Sequence, residues 1–378
     1  MKKDTVKQMQ LRIVIAGGGT GGHLFPGIAL TEEFVSVNPE TEILFISAGN
    51  MLEKSVLSKT KFQRRWIAAE GIKGKGLIKK IISVIKIPKG IFESISILKK
   101  FNPKLIIGMG SYSSGPVIVA ARLLGINIVV CEQNIVMGAT NRILSHFADR
   151  IYVSFEETEI KNNNYKLCFT GNPIRKNFFR KTCKHTDESE HNGNKKNLFT
   201  IFVTGGSQGA NRINTVVADA AKKLKNKNNL MFIHQTGAAD ESWVKEAYNK
   251  NNIPCIVKSF FDDMNQMYSR ADIVIARAGA TTVAEITSLG KCSILIPYPF
   301  AADNHQKLNA QSLADKNAAE IIQQKDLNAT LLAKRIEYYV SNKDAILSTE
   351  SRAKKLGKPK AAEDIVKDCY RLMCLEDY

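Results

Sequence analysis

A short apolar run that ends in a cluster of glycines and leads into a helical pattern constrains the fold of this chain most strongly. Residues 11–16 are rich in β-branched side chains, Gly17-Gly18-Gly19-Thr20-Gly21-Gly22 ends the run, and residues 24–37 carry apolar side chains at helical spacing. Strand, loop and helix in this order are the building unit of doubly wound parallel sheets. The pattern predicts an α/β domain with a glycine-rich loop at one end of its sheet.

The same plan continues along the chain and begins again in its second half. Residues 198–203 form a second apolar run, followed by Thr204-Gly205-Gly206-Ser207-Gln208-Gly209 and another helical pattern. Other short apolar runs at helix-length separations are predicted strands, at 43–46, 105–107, 128–130, 151–153, 231–234, 273–275 and 293–296. The sequence therefore predicts two Rossmann-like doubly wound domains.

Chain length agrees with two domains, since 378 residues exceed the size at which one hydrophobic core usually keeps growing. We expect residues 1–171 to form the first domain and residues 172–354 the second. A final helix, at about 355–378, is expected to pack back on the first domain. The polar stretch 184–197 has almost no apolar side chains and is not expected to pack.

Composition indicates an ordinary globular protein of the cytosol. Hydrophobic residues make up 44% of the chain and charged residues 24%. The seven cysteines are scattered without a CxxC pair, which favours reduced thiols over a metal site. The apolar run at 11–16 is too short for a signal peptide, and no run reaches the roughly 18 apolar residues that span a bilayer.

Positive charge is concentrated in one segment. The formal net charge is +18, and residues 61–104 alone hold twelve Lys or Arg against two Glu, a balance of +10. Isoleucines at helical spacing alternate with these lysines, which favours an interfacial surface on anionic lipid over a nucleic-acid site. A buried isoleucine stripe is the alternative. The predicted membrane face consists of Lys75, Ile78, Lys79, Ile82 and Lys86.

The first glycine loop fits the GxGxxG spacing of a dinucleotide site, with Gly17, Gly19 and Gly22. A nicotinamide site also needs an acidic residue at the end of the second strand, but that strand ends in Ser47-Ala48-Gly49. His23 follows the loop directly, and its unperturbed pKa near 6.5 suits a general base at neutral pH. A purely structural histidine is the alternative.

A second glycine-rich loop, at residues 108–116, also lies between a predicted strand and a predicted helix. Its backbone N–H groups offer a second place for an anionic group, and two such loops in one domain suggest a ligand that carries a pyrophosphate. Simple turn chemistry is the alternative. The residues assigned to the two pyrophosphate loops are Gly18, Gly19, Gly110, Ser111 and Tyr112.

In the second domain, residues 205–209 form a further glycine loop, and residues 278–285 read as a loop that enters a helix. Glu285 then lies about one turn inside that helix. A carboxylate there accepts hydrogen bonds from both ribose hydroxyls while the helix N-terminus faces the phosphates of a nucleotide. A solvated glutamate is the alternative.

Five motifs in a fixed order identify a family. They are Gly18-Gly19-Thr20-Gly21-Gly22-His23, Glu132-Gln133-Asn134, Gly171-Asn172-Pro173-Ile174-Arg175, Gly205-Gly206-Ser207-Gln208-Gly209 and Ala280 to Glu285. Together they resemble the MurG family over nearly the whole chain. The resemblance implies a GT-B fold, with two Rossmann-like domains facing a cleft, a UDP-sugar held mainly by the second domain and a lipid acceptor by the first.

The resemblance also implies individual roles. Thr20, Gly21, Gly22 and Asn134 match positions on the sugar and acceptor side. The positions that match the donor side are Arg175, Ser207, Phe261 (uracil, through its backbone), Ala280, Thr281, Thr282, Val283, Ala284, Glu285 (ribose) and Gln306 (N-acetylglucosamine hydroxyls). The family often has two adjacent glutamines where this chain has His305-Gln306.

The implied activity is an inverting transfer of N-acetylglucosamine from UDP-GlcNAc to the muramyl 4-hydroxyl of undecaprenyl-pyrophosphoryl-MurNAc-pentapeptide, a step of peptidoglycan synthesis. His23, or alternatively Glu132, is the candidate base. No cofactor, bound metal or nucleic acid is expected. The expected partners are the two substrates, anionic lipid at the cytoplasmic face of the inner membrane, and cell-wall synthesis proteins.

Three other functions stay open from the sequence. A GT-B transferase that acts on a membrane lipid such as diacylglycerol shares the fold, the basic segment and the nucleotide motifs. A non-catalytic protein that senses a UDP-sugar or forms a membrane scaffold shares the binding features without turnover. A dehydrogenase shares only the first glycine loop.

Overall fold

The structure of the protein is a computed structural model that describes residues 10–71, 77–159, 166–179 and 198–375, with side chains except at 77–85. The chain divides into two compact units. The first unit contains Met1–Arg175 and Pro359–Tyr378, and the second contains Lys176–Lys358. The chain passes from the first unit to the second after Arg175 and returns to the first after Lys358. Each of these crossings lies four residues beyond the boundary expected from the sequence, at 171 and 354. The polar stretch 184–197 lies outside the described residues.

The first unit is built on a seven-stranded sheet in which every pairing is parallel. Its strands are β1 (Arg12–Ala16), β2 (Glu42–Ser47), β3 (Gln63–Trp66), β4 (Leu105–Gly108), β5 (Asn127–Glu132), β6 (Arg150–Val153) and β7 (Leu167–Phe169). Their order in the sheet is β3-β2-β1-β4-β5-β6-β7. The direction of winding reverses between β1 and β4, which makes their carboxyl ends the switch point where doubly wound sheets bind ligands.

Five helices of the first unit connect these strands: α1 (Gly21–Val37), α2 (Met51–Ser58), α3 (Leu77–Phe101), α4 (Ser114–Leu123) and α5 (Ala139–Leu144). Helices cover both faces of the sheet, so its strands are apolar on both sides. Ile13 and Ile15 of β1 belong to one buried cluster, and Val14 and Ala16 belong to the cluster on the opposite face. This is why β1 appears in the sequence as a continuous apolar run.

The second unit has a six-stranded parallel sheet of the order β10-β9-β8-β11-β12-β13. Its strands are β8 (Phe199–Thr204), β9 (Leu230–Gln235), β10 (Cys255–Lys258), β11 (Ile273–Ala276), β12 (Ser293–Leu295) and β13 (Glu320–Ile321). The order repeats that of the first sheet, and the switch point lies between β8 and β11. The predicted α/β class with two Rossmann-like doubly wound domains is confirmed.

The helices of the second unit are α6 (Asn211–Lys223), α7 (Glu241–Asn249), α8 (Met264–Arg270), α9 (Ala280–Leu289), α10 (His305–Ala314), α11 (Ala329–Ser341) and α12 (Lys343–Leu356). A short 3-10 helix, Lys176–Phe179, opens the unit and contacts α8. Its Phe178 is buried against the ring of Tyr268, with 6.1 Å between the ring centroids. The segment that enters the second unit is therefore part of that unit's core.

The last helix, α13 (Ala361–Leu372), packs on α1 of the first unit. Ile365 and Cys369 are completely buried there, and the rings of Tyr370 and Phe34 lie 6.0 Å apart. At the edge of this contact the Tyr152 hydroxyl donates to Asp368, 2.9 Å away. The helix completes the hydrophobic core of the first unit.

The predicted membrane face lies only partly within the described residues. Lys75 falls outside them, and α3 is described over Ile78, Lys79 and Ile82 without side chains. Lys86 forms an ion pair with Glu70, with 2.7 Å between Nζ and Oε2. In the described part of the chain, no helix combines the length and apolar character needed to cross a bilayer. The membrane face stays a prediction.

Candidate functional site

The two glycine loops of the first unit lie against each other at the switch point. Gly17 and Gly110 both have positive φ, +114° and +90°, and a side chain on Gly17 would overlap the Gly110 carbonyl oxygen. The Met109 N–H donates to the Ala16 carbonyl, 2.8 Å away, which ties the second loop to the end of β1. The glycines are required because this close packing leaves no room for a Cβ atom.

A buried carboxylate forms a hydrogen bond with the backbone of the first loop. Glu53 is completely buried, and its Oε1 accepts the Gly19 N–H at 2.6 Å. Asn50, which caps α2 together with Glu53, donates from Nδ2 to the Gly19 carbonyl at 3.0 Å. The Gly19 N–H is therefore occupied by a carboxylate. Anion binding by Gly18 and Gly19 stays a prediction, and it depends on the remaining N–H groups of the loop.

His23 lies in the first turn of α1 and faces the second loop. Its Nδ1 is 3.1 Å from the Thr20 hydroxyl oxygen. A Cβ atom on Gly110 would lie 3.2 Å from His23 Nε2 and 3.2 Å from the amide nitrogen of Asn141. Because Gly110 has no side chain, the His23 imidazole and the Asn141 amide can both lie close to its backbone.

Glu132, the alternative base, is enclosed by hydrogen-bond donors. It is 2% exposed, and Oε1 accepts the Asn134 N–H at 2.9 Å, with the Asn134 side-chain amide at 3.4 Å. Oε2 accepts from the Gly138 N–H at 3.0 Å and from Asn141 Nδ2 at 2.9 Å. Burial raises the pKa of Glu132, and these bonds partly offset that effect. All four acceptor positions of the carboxylate hold the loop after β5, which favours His23 as the base.

The glycine loop of the second unit is held by the end of the neighbouring strand β9. Gln235 is 2% exposed, and its Nε2 donates to the Gly206 carbonyl at 3.0 Å and to the Thr204 hydroxyl at 3.2 Å. Its Oε1 accepts the Phe261 N–H at 3.0 Å. One buried amide therefore joins the strand end, the glycine loop and the segment after β10.

The second loop at this switch point leads into α9. Gly279 is the N-cap residue of that helix and has no side chain with which to cap it. The N–H groups of a first helical turn have no partners within the helix and point toward any anion placed there. Glu285 lies further along α9, is 8% exposed, and accepts the Tyr268 hydroxyl at Oε2, 2.9 Å away. Glu285 therefore lies within α9, and its ribose role and the phosphate role of the helix N-terminus stay predictions.

The remaining donor-side residues occupy different environments. Ser207 is half-buried in the glycine loop, and Gln306 accepts the Tyr298 N–H at 2.9 Å. Ala280 and Val283 are buried. The Phe261 N–H already donates to Gln235, as described above. The nucleotide role of these residues stays a prediction.

Arg175 belongs to the first unit, although it was expected in the second domain. Its guanidinium carbon lies 4.7 Å from the centre of the Phe25 ring of α1. This cation–π contact holds the side chain beside the helix that carries His23. Whether Arg175 meets the donor nucleotide stays a prediction.

Sequence comparisons identify the family. Profiles of glycosyltransferase family 28 match both halves of the chain, the N-terminal domain at residues 13–153 and the C-terminal domain at residues 200–365. A relative from Syntrophus aciditrophicus (strain SB) is 40% identical over 368 residues, which are 97% of this chain and 100% of the relative. Its name is UDP-N-acetylglucosamine--N-acetylmuramyl-(pentapeptide) pyrophosphoryl-undecaprenol N-acetylglucosamine transferase. The chain belongs to the MurG family of glycosyltransferases.

Two further MurG-family comparisons agree. A relative of the same name from Citrifermentans bemidjiense is 41% identical over 360 residues, 94% of this chain and 98% of the relative. The crystal structure of Acinetobacter baumannii MurG is 27% identical and superposes with a TM-score of 0.74, covering 96% of this chain and 99% of that chain. The resemblance inferred from the five motifs is confirmed, and with it the GT-B fold class.

Among the residues that the structure describes, no three His, Cys, Asp or Glu side chains are grouped so that they could hold a metal ion. The residues that sequence reasoning missed are the ones that hold the MurG-family loops in place: Asn50, Glu53, Asn141, Gln235 and Tyr268. Of these residues, only Asn50 and Glu53 could have been recognised in the sequence, because their spacing is that of a helix capping box.

Proposed function

We propose that the protein transfers N-acetylglucosamine from UDP-GlcNAc to the muramyl 4-hydroxyl of undecaprenyl-pyrophosphoryl-MurNAc-pentapeptide, converting lipid I to lipid II. The observation that carries this proposal is the match to transferases named for the reaction, at 40% identity over 97% of the chain. The two switch points support it, since each combines glycine loops with a helix N-terminus suited to phosphate groups.

The donor is proposed to bind at the switch point of the second unit. The N-terminus of α9 faces the diphosphate of UDP-GlcNAc, and Glu285 accepts the ribose hydroxyls. Gln306 contacts the sugar hydroxyls, and the Phe261 backbone meets the uracil. Charge that develops on the departing UDP is stabilised by preorganised N–H groups and Arg175, with no metal bound by the protein.

The acceptor is proposed to bind at the switch point of the first unit, with its hydroxyl next to the His23 imidazole. His23 accepts the proton through Nε2 as the hydroxyl attacks the anomeric carbon opposite UDP. This role requires the other ring nitrogen, Nδ1, to carry hydrogen and donate to the Thr20 hydroxyl, the atom found 3.1 Å away. A single displacement converts the α-linked donor into a β-linked product.

We further propose that the protein works at the cytoplasmic face of the inner membrane as a peripheral protein. The balance of +10 in residues 61–104 supports attraction to anionic lipid, at about 1 kcal/mol per basic residue near the surface. A lipid-linked acceptor requires an enzyme at the membrane surface. Other cell-wall synthesis proteins are expected partners there.

Transfer of radiolabelled N-acetylglucosamine from UDP to the lipid-linked muramyl pentapeptide tests the proposal, with the product extracted into organic solvent. UDP-glucose as donor and diacylglycerol as acceptor serve as controls. Label in the muramyl lipid alone supports the proposed reaction. Label only in diacylglycerol would assign the protein to the neighbouring lipid transferases, and binding of UDP-GlcNAc without any transfer would indicate a sensor.

A further inference from the structure

Glu285 is held by a buried tyrosine that none of the motifs contains. The Tyr268 hydroxyl donates to Glu285 Oε2 at 2.9 Å, and Tyr268 is completely buried on α8. Hydrogen bonds to a carboxylate are roughly twice as strong as those between neutral groups. The bond therefore fixes the rotation of the carboxylate and with it the direction in which Oε1 points.

The ring of Tyr268 is itself fixed by aromatic neighbours. Phe202 of β8 contacts it edge-on, with 5.2 Å between centroids and 85° between planes, and Phe178 packs at 6.1 Å. Edge-to-face and tilted contacts of this kind have preferred geometries. The hydroxyl is thus presented to Glu285 from a rigid element and not from a loop.

We propose that Tyr268 is a positioning residue that orients the Glu285 carboxylate toward the ribose of the donor nucleotide, and so sets the selectivity for ribose over deoxyribose. This inference rests on the proposed function. A carboxylate that accepts two neighbouring ribose hydroxyls needs a defined orientation, and a substrate lacking one hydroxyl leaves an acceptor unpaired in a partly buried site. Without Tyr268 the carboxylate rotates, and the difference between the two substrates shrinks.

Tyr268→Phe removes the hydroxyl and keeps the ring. We expect its ratio of kcat/KM for UDP-GlcNAc over 2′-deoxy-UDP-GlcNAc to fall about tenfold, the effect of losing one orienting hydrogen bond to a charged group. The fall should come from KM for UDP-GlcNAc, with kcat at saturation changed less than about threefold, because Tyr268 does not touch the reacting atoms.

Tyr339→Phe is the matched control. Tyr339 is 5% exposed in the same unit, and its hydroxyl also donates to a glutamate, Glu320 Oε2, at 3.0 Å. The Arg335 Nε–H donates to the same carboxylate, at 2.6 Å from Glu320 Oε1. These residues lie away from the switch point. This variant should lose comparable packing and stability but keep the wild-type selectivity ratio.

Glu285→Gln keeps the inference testable if Tyr268→Phe proves unstable. It should lower the same ratio, and adding Tyr268→Phe to it should have no further effect on selectivity. An unchanged ratio in folded Tyr268→Phe, additive effects in the double variant, or a wild type indifferent to the 2′-hydroxyl would each overturn the inference. Absence of transfer from UDP-GlcNAc by the wild type would instead overturn the proposed function.

Discussion

His23 is the residue whose surroundings bear most directly on catalysis. Replacing it with Gln keeps a polar side chain in the first turn of α1 and removes the base. We expect turnover to fall about 10²- to 10⁴-fold, the usual contribution of a general base. The Kd for UDP, measured by calorimetry, should stay within about twofold, because the donor is proposed to bind to the other unit.

His146→Gln is the control for this change, since His146 is exposed and its ring contacts the Ile143 carbonyl, 3.2 Å away. It should retain wild-type turnover. If the His23 variant kept full turnover, another group would have to take the proton.

His234 gives the stability of the second unit a pH dependence. It is completely buried, and both of its ring nitrogens form hydrogen bonds, with the Tyr248 hydroxyl at 3.0 Å and with Asn214 Oδ1 at 3.1 Å. Burial lowers the pKa of His234 to about 3. The neutral form is therefore kept in the folded state, while the unfolded chain takes up a proton below pH of about 6.5.

The stabilisation from this residue is complete above pH of about 6.5 and declines as the pH falls toward 3. Between pH 6.5 and 4.5 we expect a loss of about 2 to 3 kcal/mol in the free energy of unfolding, at 1.36 kcal/mol for each unit. Urea unfolding at several pH values measures it. In His234→Gln this decline of the free energy of unfolding with falling pH should disappear. If the variant showed the same decline as the wild type, the effect would come from carboxylates.

Sequence motifs indicated the candidate ligand-binding residues but not the residues that support them. His23 and Glu285 stand inside glycine-loop and helix-start patterns, whose chemistry is local. Glu53 reaches Gly19 across 34 positions of the chain, and Tyr268 reaches Glu285 across 17. Such partners are chosen by the packing of separate elements, and no local pattern marks them.

At the scale of strands, the interior of both sheets was predictable and the edges were not. The four strands absent from the sequence prediction are β3, β7, β10 and β13, and each is an edge strand. All four residues of β3 are exposed, and β13 has only two residues. An edge strand is covered on fewer sides, so it does not need the continuous apolar run that marks a central parallel strand.

The loops of the second switch point should act as one element because Gln235 joins them. Gln235→Met fills a similar volume but leaves the Gly206 carbonyl and the Phe261 N–H without this partner. We expect a loss of about 1 to 3 kcal/mol in the free energy of unfolding, because the buried Phe261 N–H loses its partner, whereas the Gly206 carbonyl still accepts the Gly209 N–H at 3.0 Å. KM for UDP-GlcNAc should also rise.

Gln311→Met, on an exposed position of α10, is the matched control and should change stability by less than about 0.5 kcal/mol. Chemical denaturation and steady-state kinetics measure both variants. A destabilised Gln235 variant with unchanged KM would show that the link supports folding alone.

At the scale of the whole molecule, the buried clusters of the first unit share no strand with the cluster of the second unit. We expect chemical denaturation to show two transitions, one for each unit, since each unit has its own buried clusters. Ile365→Ala in α13 should lower the stability of the first unit by about 2 to 5 kcal/mol, the cost of a large cavity. The transition of the second unit should stay in place.

Lys367→Ala on the exposed side of α13 controls for changes in helix propensity and should leave both transitions nearly unchanged. Intrinsic fluorescence helps to assign the transitions, because Trp66 belongs to the first unit and Trp243 to the second. A shift of the second transition by Ile365→Ala would mean that the two units unfold together.

The two-domain plan was visible in the sequence because the strand, glycine loop and helix pattern occurs twice. The sequence also indicated that the last helix returns to the first unit, since α13 has apolar side chains on one face only. The positions of the crossings, at Arg175 and Lys358, were not marked by a change in composition. They depend on which sheet each segment packs against.

The placement of α13 has a consequence for the order in which the protein is assembled on the ribosome. Residues 359–378 belong to the first unit but are translated after the whole of Lys176–Lys358. The second unit is therefore fully synthesised while the first still exposes the surface of α1 that Ile365, Cys369 and Tyr370 later cover. The domain made first is the last to be completed, and until then its apolar surface is available to chaperones.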